Sequence, residues 1–117
     1  MSYVDGYVMP VKAARFEEYR QKAVESAKLW LEHGALSVTE AKADDAPMGK
    51  VTSFPRSVQL QEDEIAVLGY VTYRDRAHRD AVQKVVFQDP RMNAMMEDMP
   101  VDGKRMIWGG FEAFVNV

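Results

Sequence analysis

The sequence predicts an α+β domain: a four-stranded antiparallel sheet with two long helices packed on one face. Three observations lead there. The hydrophobic period runs two, then near 3.6, then two twice, then 3.6, then two along the chain. The segment Glu64 to Tyr73 is apolar at both odd and even positions, as a central strand is. Only two helical stretches are long enough to cover a sheet, so one sheet face is left without cover.

The elements follow in order. Tyr3 to Met9 alternates as a strand and is expected to end at Pro10. From Ala13 to His33, the residues Phe16, Tyr19, Ala23, Ala27, Trp30 and Leu31 fall on one helical stripe. Glu18 and Lys22 form an i,i+4 pair on the polar side. No good N-cap precedes this helix, and Lys12 has the wrong sign for its dipole; Gly34 suits the left-handed position after its end. Leu36 to Ala43 is a weaker strand, suited to a sheet edge. Asp44 to Asp63 is a long polar connection punctuated by Pro47, Gly49 and Pro55. After the strand Glu64 to Tyr73, Asp75 is an N-cap for a second helix reaching Phe87, with Ala77, Ala81, Val82 and Val85 on its inner stripe. Asp89 and Pro90 break it, Arg91 to Glu97 makes a short helical turn, Asp102 and Gly103 a turn, and Arg105 to Val115 the last strand.

With right-handed crossovers, this βαββαβ order gives the ferredoxin-like plait as a single domain over residues 1–117. The small sets Val4/Gly6/Val8 and Ile107/Gly109/Phe111/Ala113 are expected to face the helices. Tyr3, Tyr7, Met9, Leu68, Tyr70, Trp108 and Phe114 would then share the open face. So much aromatic surface predicts a homodimer packed sheet to sheet.

Composition narrows the function classes. Hydrophobic residues make up 47% and charged residues 28% of the 117, the balance of a globular chain with a core of its own. A net charge of −3 argues against a phosphate-backbone binder, and no aromatic RNP-like motif flanked by basic residues is present, so nucleic acid is not expected as a partner. Without cysteine there is no disulfide or thiol chemistry. No apolar run approaches a membrane span, and the first nine residues lack the pattern of a signal peptide, so a soluble cytoplasmic protein is the expectation.

Five segments carry a resemblance. Asp5-Gly6-Tyr7-Val8-Met9-Pro10-Val11, Trp30-Leu31-Glu32-His33-Gly34-Ala35, Gly49-Lys50-Val51-Thr52-Ser53-Phe54-Pro55-Arg56, Arg76-Ala77-His78-Arg79-Asp80-Ala81 and Asp102-Gly103-Lys104-Arg105-Met106-Ile107-Trp108-Gly109-Gly110-Phe111 together resemble the YbaA-like family of bacterial proteins, a domain of unknown function. Asp75 stands where that pattern has serine and Trp108 where it has tyrosine, each keeping the apparent role. The resemblance implies the dimeric α/β barrel superfamily. Its members include cofactor-independent monooxygenases, haem enzymes, isomerases and amino-acid-sensing regulatory domains, so the fold does not select an activity.

Several residue sets are candidate sites, each with a plainer alternative. Asp5 and Glu112 are acids in apolar strands that the plait makes neighbours; together they could act as general acid and base, or simply meet water or a partner's basic residue. Tyr7, Tyr70, Trp108 and Phe114 would wall the same inter-sheet pocket. Lys50, Thr52, Ser53 and Arg56 offer donors for a carboxylate or phosphate, joined by Lys104, Arg105 and Arg91, or they form a dimer-contact loop with solvated charges. His33 and His78 sit at one end of the sheet, as a metal or acid/base pair or as helix-terminal residues. Met92, Met95, Met96 and Met99 are a lid over a greasy pocket or ordinary packing. Arg74, Arg76 and Arg79 read as a solvated helix start, and the acidic runs at 44–45 and 62–64 as loop solvation. No cofactor is expected. The expected function is a homodimeric small-molecule-binding protein, with cofactor-independent chemistry implied only by the superfamily; the alternative is a non-catalytic interaction or stress-associated module whose sheet face is filled by its partner.

Overall fold

A computed structural model describes residues 2–117. The elements are β1 (Tyr3–Lys12), a single 3-10 turn (Ala13–Arg15), α1 (Phe16–Glu32), β2 (Ser37–Lys42), α2 (Phe54–Ser57), β3 (Glu64–Tyr73), α3 (Arg76–Gln88), α4 (Pro90–Met96) and β4 (Ile107–Glu112). The sheet has the order β2-β3-β1-β4 with every neighbouring pair antiparallel, the ferredoxin-like plait of the α+β class. Among the described residues, no helix is long and apolar enough to cross a membrane.

Local chemistry explains the boundaries. β1 runs through Pro10 instead of ending there, because the missing N–H falls where no partner waits. Lys12 N–H donates to the Pro100 carbonyl on the β4 side, and Pro10, two residues earlier, faces the same way. β4 begins only at Ile107, opposite Val8, and does not extend alongside Pro10, so no ladder bond is lost. α1 starts at Phe16 with no side-chain cap, after a turn that has none either. It stops at Gly34, which adopts φ 112° while Ala35 N–H donates to the Trp30 carbonyl. α3 is capped by Asp75, whose carboxylate accepts from His78 N–H at 2.8 Å. In the long connection, Ser53 caps the short α2 by accepting from Arg56 N–H at 3.0 Å.

The register corrects the expected face assignment. Tyr7 lies opposite Gly69 and Trp108, while Gly6 lies opposite Tyr70 and Gly109. Tyr3, Asp5, Tyr7, Met9 and Trp108 therefore share the helix side with Val67, Val71 and Tyr73. The other side carries Val4, Gly6, Val8, Leu68, Tyr70, Ile107, Gly109 and Phe111. Leu68 and Tyr70 are where they were expected; Tyr3, Tyr7, Met9 and Trp108, with the small and aliphatic sets of β1 and β4, are exchanged. Alternation cannot resolve this when both sets are apolar, but space can. A side chain at 69 would collide with the Tyr7 ring, so the bulky residue of β1 must stand over the glycine of β3.

The core has two parts under the helices. Tyr3, Val71, Tyr73, Leu29, Val82, Val86 and Met92 form one, and Met9, Val11, Val67 and Tyr19 the other. Of the methionine run, Met92 is buried and Met95 packs beside it, whereas Met96 is exposed. On the second face, Val8, Pro10 and Ala66 are buried, but Leu68, Tyr70, Ile107 and Phe111 remain 42–63% exposed.

Candidate functional site

The strongest constellation lies on the helix side at the β2 edge. Val38, Glu40 and Lys42 alternate toward α1, and Glu40 is registered to Gly69, which in turn is opposite Tyr7. Because Gly69 has no side chain, Tyr7 can lie across β3 and reach β2. Its hydroxyl donates to Glu40 Oε2 at 2.6 Å. From above, Tyr19 of α1 donates to Glu40 Oε1 at 2.5 Å. Each carboxylate oxygen thus accepts from a different phenol, the pattern of an ionised carboxylate with two lone-pair positions still open. Burial, and next the charge of Glu40, push both phenols well above their ordinary value, so they stay protonated donors.

Beside this clamp is a cavity of about 230 Å³ between α1 and strands β2 and β3. Phe16, Ala23, Ala27, Val38 and Val67 give it apolar walls, and Glu40, Arg20 and Lys42 stand around it. The cavity exists because α1 presents alanine at two positions, 23 and 27, one turn apart, where it faces the sheet. It opens where β2 ends the sheet. Arg20 is held by Glu17 at 2.6 Å, whereas Lys42 lies 5.3 Å from the Phe16 ring centre and pairs with no carboxylate among the described residues.

The residues singled out from sequence are scattered. Asp5 is buried on the helix side, where Oδ2 accepts from Tyr73 at 2.8 Å and Gln83 at 3.0 Å and Oδ1 lies 3.5 Å from Arg79. Its counter-ion comes from α3 of the same chain. Arg79 also donates to the Tyr3 hydroxyl at 3.1 Å and stacks over that ring, and a side chain at Gly110 would collide with both. Glu112 is exposed and opposite Tyr3, two pairs along from Asp5, which lies opposite Gly110. Tyr70 is on the other face from Tyr7 and Trp108, and Phe114 lies beyond the end of β4, 91% exposed. These aromatics do not line one pocket.

The loop donors are partly consumed by the loop. Arg56 donates to the Met48 and Gly49 carbonyls at 2.8 and 3.1 Å, and Ser53 caps α2; Lys50 and Thr52 are exposed. Arg105 is a latch: it pairs with buried Glu64 at 2.5 Å and donates to the Val58 and Gln59 carbonyls. Its hydrogen bonds hold the Glu64 carboxyl below its ordinary value. His33 meets Asp89 at 2.8 Å, while Arg91 pairs with both Asp89 and Glu32, so the acids around His33 already have a cation. His78 Nδ1 accepts from Arg74 N–H at 3.0 Å.

Glu40 and Tyr19 are the residues that sequence reading passed over as site members. Glu40 sits on the least regular strand, and Tyr19 reads as one more apolar residue on α1. The available signal was the alanine pair at 23 and 27 on the same stripe.

Comparison with known proteins places the chain in a family. The family model described as "Protein of unknown function (DUF1428)" matches residues 2–103. The chain belongs to this family. It is 44% identical over 116 residues to uncharacterized protein YbaA of Escherichia coli K12, covering 99% of each chain, and equally to YbaA of Shigella flexneri. Solved structures share the fold at low identity. A mutant of SnoaB, a cofactor-independent oxygenase from Streptomyces nogalater, aligns with TM-score 0.65 and 12% identity over 99% of this chain and 96% of that one. An uncharacterized NIPSNAP domain protein from Burkholderia xenovorans gives 0.62 and 14% over 98% and 99%. A dimeric ferredoxin-like protein from an uncultured marine organism gives 0.60 and 10% over the whole of both chains.

Proposed function

We propose that this family member is a homodimer, paired through its second sheet face, that binds a small organic molecule in the cavity beneath α1. One observation carries the binding reading: a carboxylate gripped by two phenols stands at the wall of an apolar cavity. Glu40 is exposed on its outer side and forms no ion pair among the described residues, so it stays accessible to a ligand while the two phenols fix its orientation. Apolar walls with a few fixed polar groups are the usual make-up of a ligand site. The dimer reading is supported by the exposed apolar second face and by a structural relative that is dimeric.

Native mass spectrometry of the gently purified protein tests this, with Ala27→Leu as the partner measurement. Leucine at 27 fills the cavity from the helix side without touching the second face. The expected result is a dimer carrying added mass, and an Ala27→Leu dimer without it. Added mass that survives the substitution would place the ligand elsewhere. A bare dimer whose melting temperature responds to no metabolite would favour the interaction module.

A further inference from the structure

We infer that the molecule held beneath α1 is a zwitterion with an apolar body: an α-amino acid with an aliphatic or aromatic side chain. The inference rests on the cavity reading above and deepens it. Glu40 and Lys42 are two residues apart on one strand, so both point to the same side, about 7 Å apart along the backbone. Both are solvent-exposed and neither forms an ion pair among the described residues, so both remain accessible beside the cavity, whereas the neighbouring Arg20 is taken by Glu17. Glu40 is already aimed by Tyr7 and Tyr19 and keeps two acceptor positions for an ammonium group. Lys42 supplies donors for a carboxylate on the solvent side, and the alanine-lined space takes the side chain. One small molecule carrying both charges on one carbon satisfies both residues at once. A plain hydrocarbon makes no use of either charge, and a plain carboxylate places its own charge against Glu40.

Four probes separate these cases by isothermal titration calorimetry on the intact protein: L-leucine, L-phenylalanine, 4-methylpentanoate (leucine without the ammonium) and isoamylamine (leucine without the carboxylate). The amino acids are expected to bind, with each single-charge analogue weaker by about tenfold or more, the worth of one charge-assisted hydrogen bond. Glu40→Gln should weaken leucine and isoamylamine but not 4-methylpentanoate. Lys42→Gln should weaken leucine and 4-methylpentanoate but not isoamylamine. Ala27→Leu should abolish all binding while the protein remains folded by circular dichroism. If both analogues match leucine and Ala27→Leu still abolishes them, the zwitterion falls and the cavity reading stands. If none of the four binds, the zwitterion also falls, and the added mass in the native spectrum then decides the cavity reading by itself. If binding survives Ala27→Leu, both readings fall.

Discussion

Gly69 is small because Tyr7 needs its place. The Tyr7 ring occupies the volume that a side chain at 69 would take, and that is how its hydroxyl reaches Glu40 two strands away. Gly69→Ala should therefore displace Tyr7, break its bond to Glu40 and cost about 1–3 kcal/mol of overpacking in a urea titration. Unchanged stability would mean that Tyr7 is free to swing away. Asp5 has a different burden, since its removal leaves the buried Arg79 guanidinium only the half-exposed Asp80 and takes the acceptor from the Tyr73 hydroxyl and the Gln83 amide. Asp5→Ala should cost about 3 kcal/mol or more, whereas Glu112→Ala, on an exposed residue, should stay within about 0.5 kcal/mol. Equal effects would overturn the assignment of Asp5 to a buried ion pair. The oddity of Asp5 was legible as an acid in an apolar strand. Its partner was masked among three arginines at a helix start, although Arg79, Val82 and Val86 fall on one inward stripe.

At the scale of elements, Asp89 ties two helices together. It caps α4 by accepting from Arg91 N–H at 2.8 Å and grips His33 at the end of α1 at 2.8 Å. Hydrogen bonds from Arg91, then from His33, hold its carboxyl far below the ordinary 3.8. A folded pKa below the unfolded one means stability that is fully present above the unfolded value and is lost as pH falls through the folded one. The urea midpoint should drop between pH 5 and pH 3, and Asp89→Asn should flatten that fall without removing it, because Arg105 holds Glu64 down in the same way. An acid profile unchanged by Asp89→Asn would show that the tie contributes nothing. The caps were readable: Asp75 precedes an apolar stripe, and Asp75→Ala should cost about 1 kcal/mol. α2 was not, since four residues are too few to show a period. The start of α1 was readable only as the lack of a cap, and the structure enters that helix through a 3-10 turn instead.

For the whole molecule, the number of helices already implied an uncovered sheet face, and the plait followed from the order of periods. Which residues lie on that face did not follow, because β1 and β3 are apolar on both sides and only their register separates the two sets. The register leaves Leu68, Tyr70, Ile107 and Phe111 together on the open face, each exposed by 42–63%. Full burial of such a side chain from water is worth about 1.5–3 kcal/mol, and with roughly half of each still exposed, four per protomer supply about half of that sum as a drive toward a second copy. In a two-fold interface every substitution occurs twice, and one carboxylate becomes two facing charges. Leu68→Glu and Phe111→Glu, singly and together, should convert a species of twice 13.3 kDa into one of 13.3 kDa by sedimentation. The far-UV spectrum should persist, because neither residue belongs to the core under the helices. Val85→Glu, an equally exposed apolar position on α3, should leave the dimer intact. A dimer that withstands the double substitution would put the interface on another surface.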